Sequence, residues 1–278
     1  VEQDDEDLWP PFYLPGRPGR GAHEQRIHEH LQRHRDRGPY PSRRARSLSR
    51  EEIVRAAIAV ADAEGPDAIS MRRIARELNS GVMSLYWHIS SKEELLDLIL
   101  DAVQGELETP EPSGDVRADL RAIARSTRSA LLRHRWVMPF MAGRPPMGPK
   151  GLRNADRSLA TFGGLELDKA TAMNILMTVA TYVMGAVLRE QQEARGEQDR
   201  ERQLAGLSDA DIKEVLDGYM DRVRRSGRYP HLMQMIDEGV DPDAPETRDE
   251  RFEFGLDCLL DGIMARLSGG RQSGTVAG

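Results

Sequence analysis

One cysteine, Cys258, stands in a chain of 278 residues. An internal disulfide and a cysteine-based zinc site are therefore excluded. Cys258 sits in the apolar helical pattern FGLDCLLDGI, where a thiol reads as inert packing. No run of about eighteen apolar residues occurs, so no segment reads as a membrane-crossing helix. The opening residues are acidic and lack an apolar stretch, so no secretory signal is expected there and a cytoplasmic protein is expected. β-branched runs with period two are missing, which argues against strands. The fold class expected is all-α. Aromatics are scarce, three Trp, six Tyr and five Phe, so two of them side by side, Tyr86 and Trp87, raise a question of use. Nucleophile–base pairs, phosphate-binding loops and carboxylate–histidine metal spacings are also missing. Only His134, between Arg133 and Arg135, resembles a site. The chain is expected not to be an enzyme and to need no metal or cofactor.

The formal net charge is −7, which by itself disfavours a nucleic-acid partner. Its distribution reverses that inference. Residues 1–15 carry five acids and no bases, and residues 16–50 carry ten Arg against three acids. A segregated basic segment is an electrostatic footprint for phosphate, whatever the total. A solvated arm would show the same charge, and the two readings are compatible.

Residues 1–46 read as an extension rich in Pro, Gly, Arg and His, partly disordered. Within it, 22–37 allow a short marginal helix. His30 and His34, four apart, lack a carboxylate or thiol at matching spacing and read as surface side chains. From Ser47 the pattern becomes helical. Ser49 and Glu52 form a capping box before a stripe of Ile53, Ala57, Val60 and Ala61. Gly65 and Pro66 end that helix. Ser70 caps a second, with Met71, Ile74, Ala75 and Leu78 on one face. Asn79-Ser80-Gly81 breaks the chain, and Val82–Ile89 reads as a third helix. Ser91 and Glu94 suggest a further capping box, opening a fourth helix to Glu106. Further helices are expected over 117–135, 152–161, 168–193, 209–225, 231–237 and 248–267. The domains expected are 47–92, then 93–270, with a disordered tail at 271–278.

Two short helices joined by three residues including Gly form a helix-turn-helix arrangement, whose second helix enters the DNA major groove. That gives the aromatics a use. Leu85 can face the core, but Ser84, Tyr86, Trp87 and His88 cannot all be buried by so small a unit. Tyr and His can donate to phosphate, and Trp can pack on sugar or base edges. Val82, Met83 and Ser84 lie nearest the bases, where Val and Met suit thymine methyl groups. Lys92 can reach a phosphate beside a helix N-terminus, and Arg72 and Arg73 open the second helix. A protein partner for exposed aromatics is the competing use, and a scaffolding protein the competing function. The basic segment beside a helix-turn-helix discriminates against a scaffold and against catalysis.

The segment AISMRRIARELNSGVMSLYWHISSKEELL resembles the DNA-binding domain of the tetracycline-repressor (TetR) family, strongly over about residues 47–105. LLRHRWVMPFMAGRPP, TYVMGAVLREQQEARGEQDRE and RFEFGLDCLLDGI resemble that family's effector domain. The resemblance implies a helix-turn-helix domain followed by a helical domain that dimerises and binds a small organic effector. It implies DNA contacts at Ser70, Arg72, Val82, Met83, Ser84, Tyr86, Trp87, His88 and Lys92. It places Phe140, Met141, Arg144, Met177, Thr181, Tyr182 and Arg189 near the effector cavity. The family's drug is held as a magnesium chelate by a histidine and a glutamate. Here Met141 takes the histidine's place and Arg189 the glutamate's, with Glu190 adjacent, so the effector implied is not a metal–tetracycline chelate but a less polar or anionic organic ligand. Ser80 stands where the family has an aliphatic residue. The extension is a second departure, and its Arg43, Arg44 and Arg46 suit a basic arm along the DNA backbone or minor groove.

The later helices fit this reading physically. Helices 168–193 and 248–267 carry the longest apolar stripes. Gly185, Ala186, Gly255 and Gly262 would permit close helix approach, and such a pair doubled by a two-fold makes a four-helix interface. Trp136, Met138, Phe140, Met141, Met173, Met177, Tyr182 and Met184 suit either a core or an adaptable cavity. The loop PPMGPKG, 145–151, is placed to gate it. The function expected is a ligand-responsive transcriptional repressor that binds a palindromic operator as a homodimer.

Overall fold

The computed structural model describes residues 48–109, 111–141, 147–204, 206, 208–242 and 244–270. Arg43, Arg44, Arg46, the His30–His34 pair, Arg144 and the 271–278 tail lie outside them. The described residues contain helices and no strand, as the missing period-two pattern requires. The chain divides into two compact units, Val1–Ala180 and Thr181–Gly278, with the division inside one long helix.

The first unit begins with α1 (Arg50–Glu64), opened by the Ser49–Glu52 capping box and buried along Ile53, Val54, Ala57, Val60 and Ala61. Its end is set by Gly65 at φ 87, a left-side conformation that glycine adopts without a Cβ clash. A 3-10 turn, Pro66–Ala68, leads to α2 (Met71–Glu77) and α3 (Val82–Tyr86). Then follows α4 (Lys92–Gln104). Helix α1 packs on α2 and α4, and Ile53, Ile69, Ile74, Leu85, Ile89, Leu95 and Ile99 are wholly buried. Next come α5 (Val116–Arg133), capped by Asp115, the one-turn α6 (Met138–Met141) and α7 (Pro149–Ala160), which packs on α4.

Helix α8 spans Lys169–Leu204, eleven residues beyond the expected end at Glu193. The added run, ARGEQDRERQL, is made mainly of strong helix formers, so nothing in it stops the helix. Residues 169–199 are long and apolar enough to match a membrane-spanning helix by composition. The helix nevertheless has two faces. Ala172, Ile175, Val179, Val183 and Val187 are buried at helical spacing, while Met173, Met177 and Leu188 are exposed.

In the second unit, α9 (Asp209–Ser226) opens on a Ser208–Asp211 capping box and ends at Gly227 in the left-handed conformation. Then come α10 (Pro230–Asp237) and α11 (Arg248–Gly270). The core here is Val183 and Val187 with Phe252, Leu256 and Leu260. Gly255 is needed where α8 and α11 meet, because a Cβ there would collide with the Tyr182 hydroxyl. Nothing stands near Gly185 or Gly262. Glu193 gathers Arg189 at 2.7 Å, Arg251 at 2.8 Å and Arg248 at 3.2 Å. Burial would raise its pKa, but the Arg189 and Arg248 hydrogen bonds and the Arg251 charge outweigh it and hold the carboxyl low.

Candidate nucleic-acid interface and effector residues

The turn between α2 and α3 is built by Asn79, at φ 49. The Ser80 N–H donates to the Ala75 carbonyl at 2.9 Å and the Asn79 N–H to that of Arg76 at 3.1 Å. This pair of bonds is a Schellman helix stop, with Asn79 at the left-handed position. Gly81, at φ −76, instead opens α3 in extended conformation. The sequence correctly marks a break, but the left-handed backbone of Asn79, not the glycine, makes it. The Ser80 hydroxyl oxygen is buried without a hydrogen-bond partner, in the place where an aliphatic side chain was expected.

Helix α3 stops at Tyr86, three residues before the expected end at Ile89. The reason is tertiary. Arg50 at the start of α1 donates Nε to the His88 carbonyl at 3.2 Å and Nη2 to Glu94 at 2.9 Å. The other Glu94 oxygen accepts the Ser90 N–H at 2.7 Å. These bonds hold the segment after Tyr86 to the start of α1, while the Ile89 N–H still reaches the Leu85 carbonyl at 2.9 Å and Ile89 is buried in the core. Ser91 still caps α4, accepting from the Glu94 N–H at 3.1 Å. Glu94, however, turns to Ser90 and Arg50 and does not complete the expected box. Arg50 and Glu94 are thus positioning residues that spacing did not reveal, being 44 apart in the chain.

The result is a short helix with one wholly buried side. Leu85 and Ile89 are fully covered, while Met83 is 42% and Trp87 56% exposed. Met83 and Trp87 are four apart and share a face. Val82, Ser84, Tyr86 and His88 are half-buried around that face, and Lys92 is exposed at the first position of α4. Ser70 caps α2, its hydroxyl accepting from the Arg73 N–H at 3.2 Å. Arg72 is exposed. Arg73 is held on Glu64 at 2.6 Å and Glu77 at 2.8 Å, which leaves Arg72 as the more available cation of the two.

The expected effector residues are distributed over both units. In the first, Phe140 and Met141 are half-buried, and Phe140 meets Trp136 edge-on with centroids 6.3 Å apart. Met177 is exposed, as is Thr181 at the start of the second unit. Tyr182 packs on Phe252 at 5.6 Å and donates its hydroxyl to the Phe252 carbonyl at 2.7 Å. Arg189 bonds Glu193 and the Pro242 carbonyl. Pro145 and Pro146 of the expected gate lie outside the described residues, while Pro149, Lys150 and Gly151 form the first turn of α7. Asp101 of α4 accepts the Lys150 and Gly151 N–H groups at 3.0 Å each. Burial pushes the Asp101 carboxyl up, against these two N–H groups and the nearby Lys150 charge. Among the described residues no cluster of three metal-ligating side chains occurs.

Comparison with known proteins accords with this geometry. Residues 53–99 match the family described as bacterial regulatory proteins, tetR family. Residues 109–267 match the tetracyclin repressor-like C-terminal domain. The HTH-type transcriptional repressor DrrR1 of Streptomyces coeruleorubidus is 36% identical over 82% of this chain and 79% of its own. The class A tetracycline repressor protein from transposon 1721, of Escherichia coli, is 30% identical over 79% of this chain and 92% of its own. Among solved structures, ActR of Streptomyces coelicolor in complex with actinorhodin aligns with a TM-score of 0.58 at 30% identity. That alignment covers 79% of this chain and 98% of ActR.

Proposed function

Because the chain belongs to the tetracycline-repressor family of bacterial transcriptional regulators, we propose that it is a repressor of one specific kind. It acts in the cytoplasm as a homodimer, seats two α3 helices in a palindromic operator, and leaves that operator when a small organic effector binds. One observation carries the DNA reading. A helix of five residues is pinned from behind by Leu85 and Ile89 and leaves Met83 and Trp87 bare on one face. Apolar exposure on so short an element has a use when a groove covers it.

Val82, Met83 and Ser84 lie against base edges, the first two against thymine methyl groups. Tyr86, Trp87 and His88 lie along sugar and phosphate, and Ser70, Arg72 and Lys92 add phosphate contacts. Arg43, Arg44 and Arg46 extend this contact as a basic arm. Phe140, Met141, Arg144, Met177, Thr181, Tyr182 and Arg189 contribute to the effector cavity. Met141 and Arg189 offer no oxygen ligand to a hard cation, so the effector is an organic molecule bound without a metal. The ActR complex with actinorhodin supports an organic effector as a class. The exposed Leu188 of α8 and Phe254 of α11, both in the second unit, lie in the subunit face. Effector binding favours a conformer whose two α3 helices are wrongly spaced for one DNA turn, which shifts the population off the operator.

The test is duplex binding across salt concentrations, using the promoter region of the protein's own gene or a duplex from random-sequence selection. Wild-type affinity should fall by about 10³ or more between about 50 and 200 mM salt, as expected for six or more phosphate contacts. Tyr86→Ala should weaken binding by about tenfold, the loss of one charge-assisted contact. Salt-independent binding, or a Tyr86→Ala variant equal to wild type, would sink the reading.

A further inference from the structure

His134 closes α5 as its C-cap residue and is 6% exposed. Its Nδ1 lies 2.8 Å from an Asp62 oxygen and its Nε2 lies 3.0 Å from a Glu106 oxygen. Asp62 belongs to the last turn of α1, inside the helix-turn-helix domain. Glu106 follows α4, the helix that joins the two domains. Both partners are carboxylates, which accept and do not donate when ionised. A neutral imidazole has one N–H and would set its lone pair against one of them. Both contacts are satisfied together when the ring carries two N–H groups, so the geometry specifies the imidazolium.

Two further groups close the cluster. Trp136 donates Nε1–H to the same Asp62 oxygen at 2.7 Å, and Arg133 lies 3.3 Å from the Glu106 oxygen that faces the ring. The charged groups around His134 are therefore Asp62 from α1, Glu106 from beyond α4 and Arg133 from α5. Trp136 also meets Phe140, one of the residues assigned above to the effector cavity. Phe140, Trp136 and Asp62 thus form a continuous line of contact from that residue to the DNA-reading domain.

Resting on the repressor reading above, we propose that His134 and Trp136 are positioning residues. They clamp α1 at one angle to the effector domain, set the orientation of α3 in the dimer, and pass effector contact at Phe140 to the reading domain through Asp62. The clamp is a three-way tie through a single cation. It is lost when the ring is neutral or when Asp62 is uncharged. Burial alone would lower the His134 pKa, but the Asp62 and Glu106 hydrogen bonds outweigh it and hold the pKa above the ordinary 6.5. A raised pKa means the tie contributes fully below the unfolded value and fades as pH rises through the folded one.

The experiment uses the full chain and a duplex obtained with it by random-sequence selection. Affinity is measured from about pH 5.5 to about pH 9, the range in which a histidine titrates. The proteins are wild type, His134→Gln, His134→Lys and Asp62→Asn. Amide hydrogen exchange of the DNA-free proteins is followed at 58–64 and 132–137. Wild-type affinity should drop about tenfold, a usual size for coupling between sites, as pH rises through the His134 transition. His134→Gln should bind about tenfold more weakly at low pH, lack that step and exchange faster at both segments. His134→Lys keeps a cation and should keep binding while losing the step, an outcome that a merely structural histidine does not produce. Asp62→Asn keeps the Trp136 acceptor, disturbs folding least and should reproduce the His134→Gln profile. His88 is intact in every variant, so only the part of the profile that disappears in His134→Gln belongs to the clamp. A His134→Gln protein with the wild-type profile and wild-type exchange overturns the proposal. Failure of any duplex to be enriched, with exchange still accelerated in His134→Gln, would overturn the repressor reading and leave the clamp in place.

Discussion

At the scale of single residues, two buried polar groups have opposite meanings. His134 is buried and fully bonded, so it functions as a tie. The Ser80 hydroxyl is buried and unbonded, so it is a cost. A buried hydroxyl without a partner is unfavourable by about 1–3 kcal/mol. Ser80→Ala removes the oxygen and leaves the backbone Schellman bonds untouched. It should raise stability by about 1 kcal/mol and Tm by about 2–4 °C, read by thermal unfolding with operator affinity unchanged. A drop in Tm would mean that the hydroxyl is bonded in solution. Sequence comparison alone marks Ser80 as unusual; the orphaned oxygen makes it energetically unfavourable.

At the scale of elements, α4 is held at both of its ends. At one end its Ser91 cap and the Arg50–Glu94 pair hold it to the helix-turn-helix domain. At the other, Asp101 caps the first turn of α7 and the Gln104 carbonyl accepts from Asn154. Helix α7 begins within the loop expected to gate the effector cavity. The Asp101 contact therefore ties the start of α7 to α4. Asp101→Ala strands two helix N-terminal N–H groups and should lower stability by about 1–2 kcal/mol, the usual cost of a lost cap. Asp101→Asn keeps an oxygen and should cost clearly less. Equal losses for the two variants, in denaturant unfolding, would show that charge rather than capping matters. The shortness of α3 belongs to this scale as well. Intrinsic preference would let the helix run to Ile89, and a tie from a residue 38 positions earlier, Arg50 to the His88 carbonyl, ends it.

At the scale of the whole molecule, surplus apolar surface is the main clue. In the second unit, Phe254 is 74% exposed on α11 and Leu188 is exposed on α8. Gly185 and Gly262 have open space where a side chain would stand. A self-complementary two-fold contact would cover such a face. Phe254→Glu buries a charge in that contact and should shift the protein from dimer to monomer in sedimentation at micromolar concentration. Operator binding should fall with it, because one reading helix alone spans half a palindrome. A Phe254→Glu protein that remains dimeric would move the interface elsewhere, with the bare apolar side of α9, Val215, Leu216 and Tyr219, next in line.

The sequence by itself determined the helical class, the capped start of α1, the stripe that buries it, and the reading helix with its exposed aromatic. It did so because those features are local: capping boxes span three residues, and helix faces repeat every three or four. Family resemblance added the effector domain and its expected cavity residues from matched segments. Only the tertiary structure decided that Asn79 makes the turn, that α3 stops at Tyr86, and that Glu94 leaves its box for Arg50. It also decided that His134 meets Asp62, 72 positions away, and that Asp101 meets α7. The Asn79 turn is local, but its left-handed backbone is not announced by the residue type alone. The others join groups far apart in the chain, and their outcome is set by which carbonyls, N–H groups and carboxylates packing brings within about 3 Å, a distance that sequence spacing does not record.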